Sequence, residues 1–222
     1  YYLNSIGGYS AAKLRRYQDL IDEHISKMHM PVLNMLNAKY IISKGQDGKP
    51  FPYLNPDVLG NCWLIDELVP VDNANDESNA LNTLDLRHQA VYDQTYAPNS
   101  TILQFPAENV LVAYDVEKIE CVQHNPKKLT YISQAERPRT AVFSEIYYPY
   151  GWKATIDGVP TNIFRVNYML RAITIPAGEH EIIFTFEPDS VRKGDILAMT
   201  CFGIFIIVLI GTVVYWRKKH NA

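Results

Sequence analysis

Residues 196–216 read ILAMTCFGIFIIVLIGTVVYW, 21 positions without one charged side chain. A helix rises about 1.5 Å per residue, so this length matches the roughly 30 Å of hydrocarbon in a bilayer. Asp195 closes the stretch on one side, and Arg217, Lys218 and Lys219 close it on the other. Tyr215 and Trp216 stand where amphipathic rings favour the headgroup level. Basic residues follow at once, as on a cytoplasmic flank. The alternative is a buried core helix, but a core helix of this length normally keeps a polar face. A secretory signal peptide stands at the other end of a chain. The stretch is read as a transmembrane helix, 196–216, with 217–222 as a cytoplasmic tail.

That reading places residues 1–195 outside the cytoplasm, in or against the cell membrane. Of 21 lysines and arginines three lie in the tail, leaving 18 against 24 aspartates and glutamates, so the outer part is acidic. Such a balance excludes nucleic acid and an anionic lipid surface as natural partners of that part. Its length suffices for one large domain or two small ones with a proper core. The chain carries 15 Tyr, 8 Phe and 3 Trp, unlike a disordered stalk. Cys62 and Cys121 are far apart and form neither a disulfide framework nor a metal pattern; they either pair or stay as free thiols. The chain opens Tyr1-Tyr2-Leu3, with no initiator Met and no signal sequence. A domain outside the cytoplasm needs an export signal, so a longer parent with earlier spans is expected.

The fold class expected is α+β, mainly β. Residues 1–100 form a mixed region and 101–190 an antiparallel β-sandwich of the carbohydrate-binding-module kind. Ser10 is a candidate N-cap, and Leu14, Tyr17, Ile21, Ile25 and Met28 recur at helical spacing, giving a helix over about 11–29 stopped by Pro31. Strands are expected at 39–42, 62–65 and 90–92, with a short helix over 75–84 and a turn over 45–48. Pro50, Pro52 and Pro56 predict an irregular extended segment. From residue 102 the period changes to strands at 110–119, 128–133, 140–147, 152–156, 161–166, 171–175 and 180–187. Asp157-Gly158 marks a tight hairpin turn. Residues 189–195 read as a polar linker into the membrane.

The usual catalytic signatures are missing from the sequence, so no catalytic residue is named and no cofactor or metal is expected. His24 and His29 are five apart, which in a continuous helix puts them on different faces and argues against a shared metal. Asn99-Ser100-Thr101 matches a glycosylation sequon. One segment stands out. Tyr147, Tyr148, Tyr150 and Trp152 place four aromatics in six residues, interrupted by Pro149 and Gly151. They cannot all face one core. With Asp157, Arg165, Asn167, Tyr168 and Arg171 nearby in sequence, they predict a carbohydrate-binding surface: flat rings for the apolar sugar face, fixed polar groups for hydroxyls. The competing reading makes Tyr147 and Trp152 inter-sheet core and the rest a rigid corner. A hydrolase would need two carboxylates facing one cleft, and Glu145 with Asp157 is the pair to inspect.

Several blocks resemble the bacterial membrane proteins called YfhO. They are Gly7-Gly8-Tyr9 with Ala12-Lys13-Leu14 and Tyr17-Gln18-Asp19-Leu20; Asn34-Met35-Leu36-Asn37-Ala38-Lys39-Tyr40; Asn55-Pro56 with Gly60-Asn61; Phe143-Ser144-Glu145-Ile146-Tyr147-Tyr148-Pro149; Gly151-Trp152 with Ile156-Asp157-Gly158; Asn167-Tyr168 with Leu170-Arg171-Ala172; and Pro176-Ala177-Gly178 with His180. The resemblance implies the extracytoplasmic C-terminal portion of a multi-span protein, just before its last span. That family is similar to GT-C glycosyltransferases, which take a sugar from a polyprenyl-phosphate carrier and attach it to cell-envelope polymers. The catalytic carboxylate of such enzymes lies in an early loop, so none is carried over here. The implied partners are the remaining spans of the parent, membrane lipid, and a cell-envelope glycan or polyprenyl-linked sugar. Two roles follow: orienting the glycan acceptor, or a purely structural module that stabilises the parent.

Overall fold

The computed structural model describes residues 5–7, 13–45, 48–96 and 117–220. The Ser10 cap, part of the 45–48 turn, the Asn99 sequon and most of the strand expected at 110–119 lie outside the described residues. The chain is mixed α+β, dominated by antiparallel strands, with one long apolar helix at its C-terminal end.

Two sheets form the centre. Strands β6 (Lys118–Asn125), β7 (Lys128–Ala135), β9 (Trp152–Ile156), β10 (Val159–Thr161) and β13 (Gly178–Phe186) make a five-stranded sheet in the order β10-β9-β13-β7-β6. Strands β3 (Cys62–Ile65), β8 (Arg139–Ile146), β11 (Phe164–Val166) and β12 (Leu170–Ile175) make a four-stranded sheet in the order β11-β12-β8-β3. Alternation along each strand decides what lies between the sheets. Ala141 and Phe143 of β8 and Ile173 and Ile175 of β12 meet Leu129 and Tyr131 of β7 and Ile182 and Phe184 of β13 in one buried cluster. Tyr131, Phe143 and Phe184 meet edge to face, with ring centroids 4.7–5.9 Å apart.

The other face of the four-stranded sheet is also covered. Val142, Val166, Leu170 and Ala172 point away from the sandwich and join a second core with Leu20, Val32, Met35, Leu81 and Val91. Those residues come from helix α1 (Arg15–Leu20), helix α2 (Met30–Met35) and a β-α-β unit made of β4 (Glu67–Val71), α3 (Ala74–Ala80) and β5 (Gln89–Asp93). The strands β4 and β5 run parallel, which the intervening helix permits. Helix α3 starts where Asn73 Oδ1 accepts the amides of Asn75 and Asp76, each at 3.0 Å, and its first turn carries Asp76 and Glu77. The result is three layers: outer sheet, inner sheet, and an α/β layer.

Local structure departs from expectation at four places. Strand β2 (Pro50–Leu54) is not irregular but pairs with β1 (Tyr40–Lys44) as a separate hairpin. The expected strand 161–166 is broken, because β10 belongs to one sheet and β11 to the other, so the chain crosses between them. Helix α1 does not continue to residue 29; it widens into a π-turn at Ile21–Ile25 and ends in a bend at Met28. The expected linker 189–195 is itself helical, the opening of α4 (Asp189–His220). Helix α4 is long and apolar enough to cross a membrane, and none of its most apolar window is buried against protein. Cys62 and Cys121 are free thiols, and burial pushes the Cys62 thiol up to about 12.

Candidate functional site

The nine residues singled out for carbohydrate recognition fall in three places. The first is the end of the sandwich beside α4. The register between β8 and β12 shifts at Leu170/Arg171, leaving Ser144 and Glu145 as a bulge. At that bulge Glu145 Oε2 lies 3.6 Å from the Arg171 guanidinium, while Glu145 Oε1 meets His124 Nε2 at 2.9 Å. Arg171 is 3% exposed, and its guanidinium lies over the Trp152 ring at 4.1 Å and the Phe184 ring at 5.4 Å. Burial pulls the Arg171 pKa below its ordinary value, opposed by Glu145. Trp152 is half-buried and packs on Phe186, centroids 5.2 Å apart. Tyr147 is half-buried, its amide donating to Met169 O at 2.7 Å. Tyr148 and Tyr150 project outward, 39% and 71% exposed, as an edge-to-face pair with centroids 5.6 Å apart.

That aromatic loop is fastened to the root of α4. Gly151 adopts φ +106, and a Cβ there would stand 2.9 Å from both Phe186 Cε2 and Pro188 Cβ. Only glycine fits both the conformation and the contact. The Glu187 amide donates to Gly151 O at 2.7 Å, and Lys153 pairs with Glu187 at 2.9 Å. Helix α4 begins two residues later.

Arg165, Asn167 and Tyr168 belong to a different place, the seam between the inner sheet and the α/β layer. Its centre is Glu77, fully buried on α3. Glu77 Oε2 accepts from Arg16 Nη1 at 3.0 Å and from Arg165 Nη2 at 3.4 Å, and Glu77 Oε1 accepts the Tyr168 amide at 3.1 Å. Burial pushes the Glu77 carboxyl up, while Arg165, Arg16 and the Tyr168 amide oppose the shift. Arg165 also faces Asp93 at 3.8 Å and lies over the Tyr96 ring at 4.7 Å. Tyr168 donates its hydroxyl to Asp19 at 3.0 Å. Asn167 and Tyr168 both hold positive φ, 50 and 72, forming the tight turn into β12. Asn167 Oδ1 accepts the Val91 amide at 3.0 Å, which ties that turn to β5. Asn167 itself is fully buried.

Asp157 is in the third place, at the far end of the sandwich. With φ 51 and 80, Asp157 and Gly158 form the two-residue hairpin turn between β9 and β10. Asp157 Oδ2 meets His180 Nδ1 at 2.6 Å, Asp157 Oδ1 accepts the Glu181 amide at 2.9 Å, and His180 Nε2 reaches Ala177 O at 3.0 Å. The hydrogen bond to His180 holds the Asp157 carboxyl below its usual value. The Asp157 hydrogen bond, with Ala177 O, raises the imidazole. His180 therefore stabilises the hairpin fully below pH 6.5 and less as pH rises through its raised pKa. Asp157 contributes above pH 3.8 and loses its share as pH falls through its depressed pKa. Titration of the His180 ring by NMR is expected to show a midpoint above 6.5 that Asp157→Asn moves back down. An unchanged midpoint in that variant would show the pair to be no clamp. Glu145 and Asp157 stand at different ends of the sandwich, so they do not flank one cleft.

Two clusters escaped sequence reasoning. Glu77 gave no signal, since its partners lie 61 to 91 residues away. His24 and His29, assigned to different faces of a continuous helix, are in fact neighbours, Nδ1 to Nδ1 3.0 Å apart. The π-turn and the bend at Met28 bring them together.

Against this geometry stands one comparison. The family described as bacterial membrane protein YfhO matches residues 73–198, more than half of the chain. The chain belongs to the YfhO family. The YfhO match opens at the cap of α3, takes in Glu77, both sheets apart from β3, and the aromatic loop, and ends inside α4. A YfhO membrane protein and a helix fit to span lipid agree with each other. No curated protein and no solved structure matches the chain.

Proposed function

We propose that this chain is the extracytoplasmic, membrane-anchored part of a glycosyltransferase-like YfhO protein. In this reading its 148–152 loop orients a cell-envelope glycan acceptor against a polyprenyl-phosphate-linked sugar. The observation that carries the reading is the exposed Tyr148–Tyr150 pair, presented on a loop locked to the root of α4. Ile196, where the apolar stretch starts, is eight positions after Pro188. At about 1.5 Å per residue the loop sits about 12 Å from the hydrocarbon edge. The headgroup layer is roughly 5–8 Å deep on each side. With α4 upright in the bilayer, the helix root to which the loop is tied stands just beyond the headgroups, within reach of a sugar carried on a lipid phosphate. Trp152, braced by Arg171 and Phe186, holds the loop in shape. Tyr148 and Tyr150 supply the flat apolar faces that sugars stack on.

The test is the double variant Tyr148→Ala/Tyr150→Ala in the parent protein, with transfer to acceptor measured against acceptor concentration. Both rings are exposed, so the fold is unaffected. A rise of about tenfold in the acceptor's KM is expected, equivalent to about 1.4 kcal/mol. Unchanged transfer and acceptor binding would refute the role.

The burial of Arg171, Asn167 and Tyr168 favours a second reading, a structural module that stabilises the parent without touching sugar. There the tyrosine variant leaves transfer intact, and Arg171→Ala lowers the amount of assembled protein.

A further inference from the structure

The bend after the π-turn gathers an unusual set of side chains. Lys27 and Met28 turn back over His24: the Lys27 amide donates to His24 O at 3.2 Å, and the His29 amide donates to the same oxygen at 3.0 Å. Met28 holds φ 55, a left-handed conformation that is unfavourable for a residue with a side chain. Glycine would be the undemanding choice there. His24 is nearly buried, its Nε2 3.3 Å from Ser78 Oγ, and Ser78 donates to Glu23 at 2.8 Å. That arrangement leaves Nδ1 of His24 facing Nδ1 of His29. Both imidazoles, with Met28 and Met30, line one open cavity of about 550 Å³ whose other walls include Glu23, Lys27 and Asn79. Two of the chain's five methionines are thus spent at exposed positions on either side of His29, 50% and 38% accessible.

We propose that this cavity is a binding site for a soft monovalent metal ion, Cu(I), held by His24, His29 and the thioethers of Met28 and Met30. Thioether donors select Cu(I), and imidazole suits copper as well. At metal–nitrogen bonds of about 2 Å, two nitrogens spanning a right-angled to tetrahedral pair lie roughly 2.8–3.3 Å apart. The 3.0 Å between the two Nδ1 atoms falls in that range. Without a metal that contact is a hydrogen bond: Ser78 donates to Glu23, so His24 Nε2–H points at Ser78 Oγ and His24 Nδ1 accepts from His29. A shift of the His29 proton to Nε2 frees both Nδ1 lone pairs for the ion. Burial lowers the pKa of both imidazoles, so both rings are uncharged at neutral pH. Among the described residues no group of three or more His, Cys, Asp or Glu could hold a metal, which leaves a zinc-type donor set without support here. The four proposed donors are neutral. Lys27 on the cavity wall therefore opposes a single positive charge less than it would a divalent ion, and Glu23 faces it.

The untagged chain in detergent micelles tests this by titration with Cu(I) under reductant against a chromogenic Cu(I) chelator. One equivalent is expected to be withdrawn from the chelator. Met28→Leu/Met30→Leu, at exposed positions that leave folding unaffected, is expected to weaken binding at least tenfold, and His29→Gln to abolish it. With Ag(I) as a diamagnetic probe, the Met28 and Met30 ε-methyl resonances are expected to shift while those of Met35 and Met169 stay in place. No withdrawal of Cu(I), an affinity indifferent to the double Met→Leu change, or Zn(II) binding as tightly as Cu(I) would each overturn the proposal.

Discussion

Glu77→Ala is expected to cost the fold about 3–5 kcal/mol, the range for breaking a buried ion pair from one side. The loss comes from what remains. Arg16 and Arg165, 24% and 12% exposed, converge on one carboxylate oxygen, and without it two guanidiniums share a seam from which water is largely excluded. The Tyr168 amide also loses its acceptor in a turn held at positive φ. Because Glu77 joins α1, α3 and the β11–β12 turn, its removal is expected to free the α/β layer from the inner sheet before the sandwich itself melts. Glu77→Gln keeps an acceptor for Tyr168 and is expected to recover only the smaller part of the loss. Arg15→Ala serves as the contrast: its pair with Asp19 is 2.9 Å long, but Arg15 is 90% exposed. It is expected to leave the unfolding midpoint unchanged within measurement error, because a solvent-exposed ion pair contributes little. Urea denaturation followed by circular dichroism reads all three. Equal stabilities for Glu77→Ala and Arg15→Ala would remove the seam from the account.

Phe205→Arg/Val208→Arg is expected to abolish stable membrane insertion of α4. Both positions are exposed within the apolar stretch, with no protein against them. Each arginine near the bilayer centre costs about 2.5–3.5 kcal/mol on an insertion scale, and the two are three residues apart on one helix face. They are too far from either end for both to reach the headgroups easily. Alkaline extraction of membranes reads the result: the unaltered chain stays with the lipid and the double variant is released. Val159→Arg, on the exposed β10 hairpin, is expected to leave partitioning unchanged. Retention of the double variant would mean that α4 is not the anchor.

The strands 62–65 and 152–156 were legible because the first is a short apolar run between Gly60-Asn61 and Asp66, and the second alternates between Gly151 and Asp157-Gly158. Strand β2 was not, since Pro50 and Pro52 within it and Pro56 just after it normally argue against pairing. It forms in a hairpin of its own, where each strand has a free edge to accommodate missing amide donors. Strand β4 holds Pro70 and pairs in parallel with β5, a partnership that leaves no periodic trace in a five-residue run. The crossing between sheets at Asn162-Ile163 was invisible for a related reason: period two reports a face but not the sheet that owns it. The same limit explains why the residues grouped as one surface are apart in the fold. Nearness in sequence suggested one surface for 147–152 and 165–171. Arg171 instead faces the space between the sheets, while Arg165, Asn167 and Tyr168 meet α1, α3 and β5. The histidine pair was lost to the assumption of an unbroken 3.6 period, which the π-turn at Ile21–Ile25 violates. What remained legible throughout was α4, because a hydrocarbon-length apolar run needs no partner to be recognised.

Cysteine labelling decides whether the folded body and the basic end of α4 lie on opposite faces of the membrane. Cys62, Cys121 and Cys201 are first changed to serine, and single cysteines are placed at Val159 and His220 in the parent protein. Intact cells are treated with a membrane-impermeant maleimide. Labelling is expected at 159 in intact cells and at 220 only after permeabilisation. Labelling at 220 but not 159 in intact cells, or at both, would contradict it.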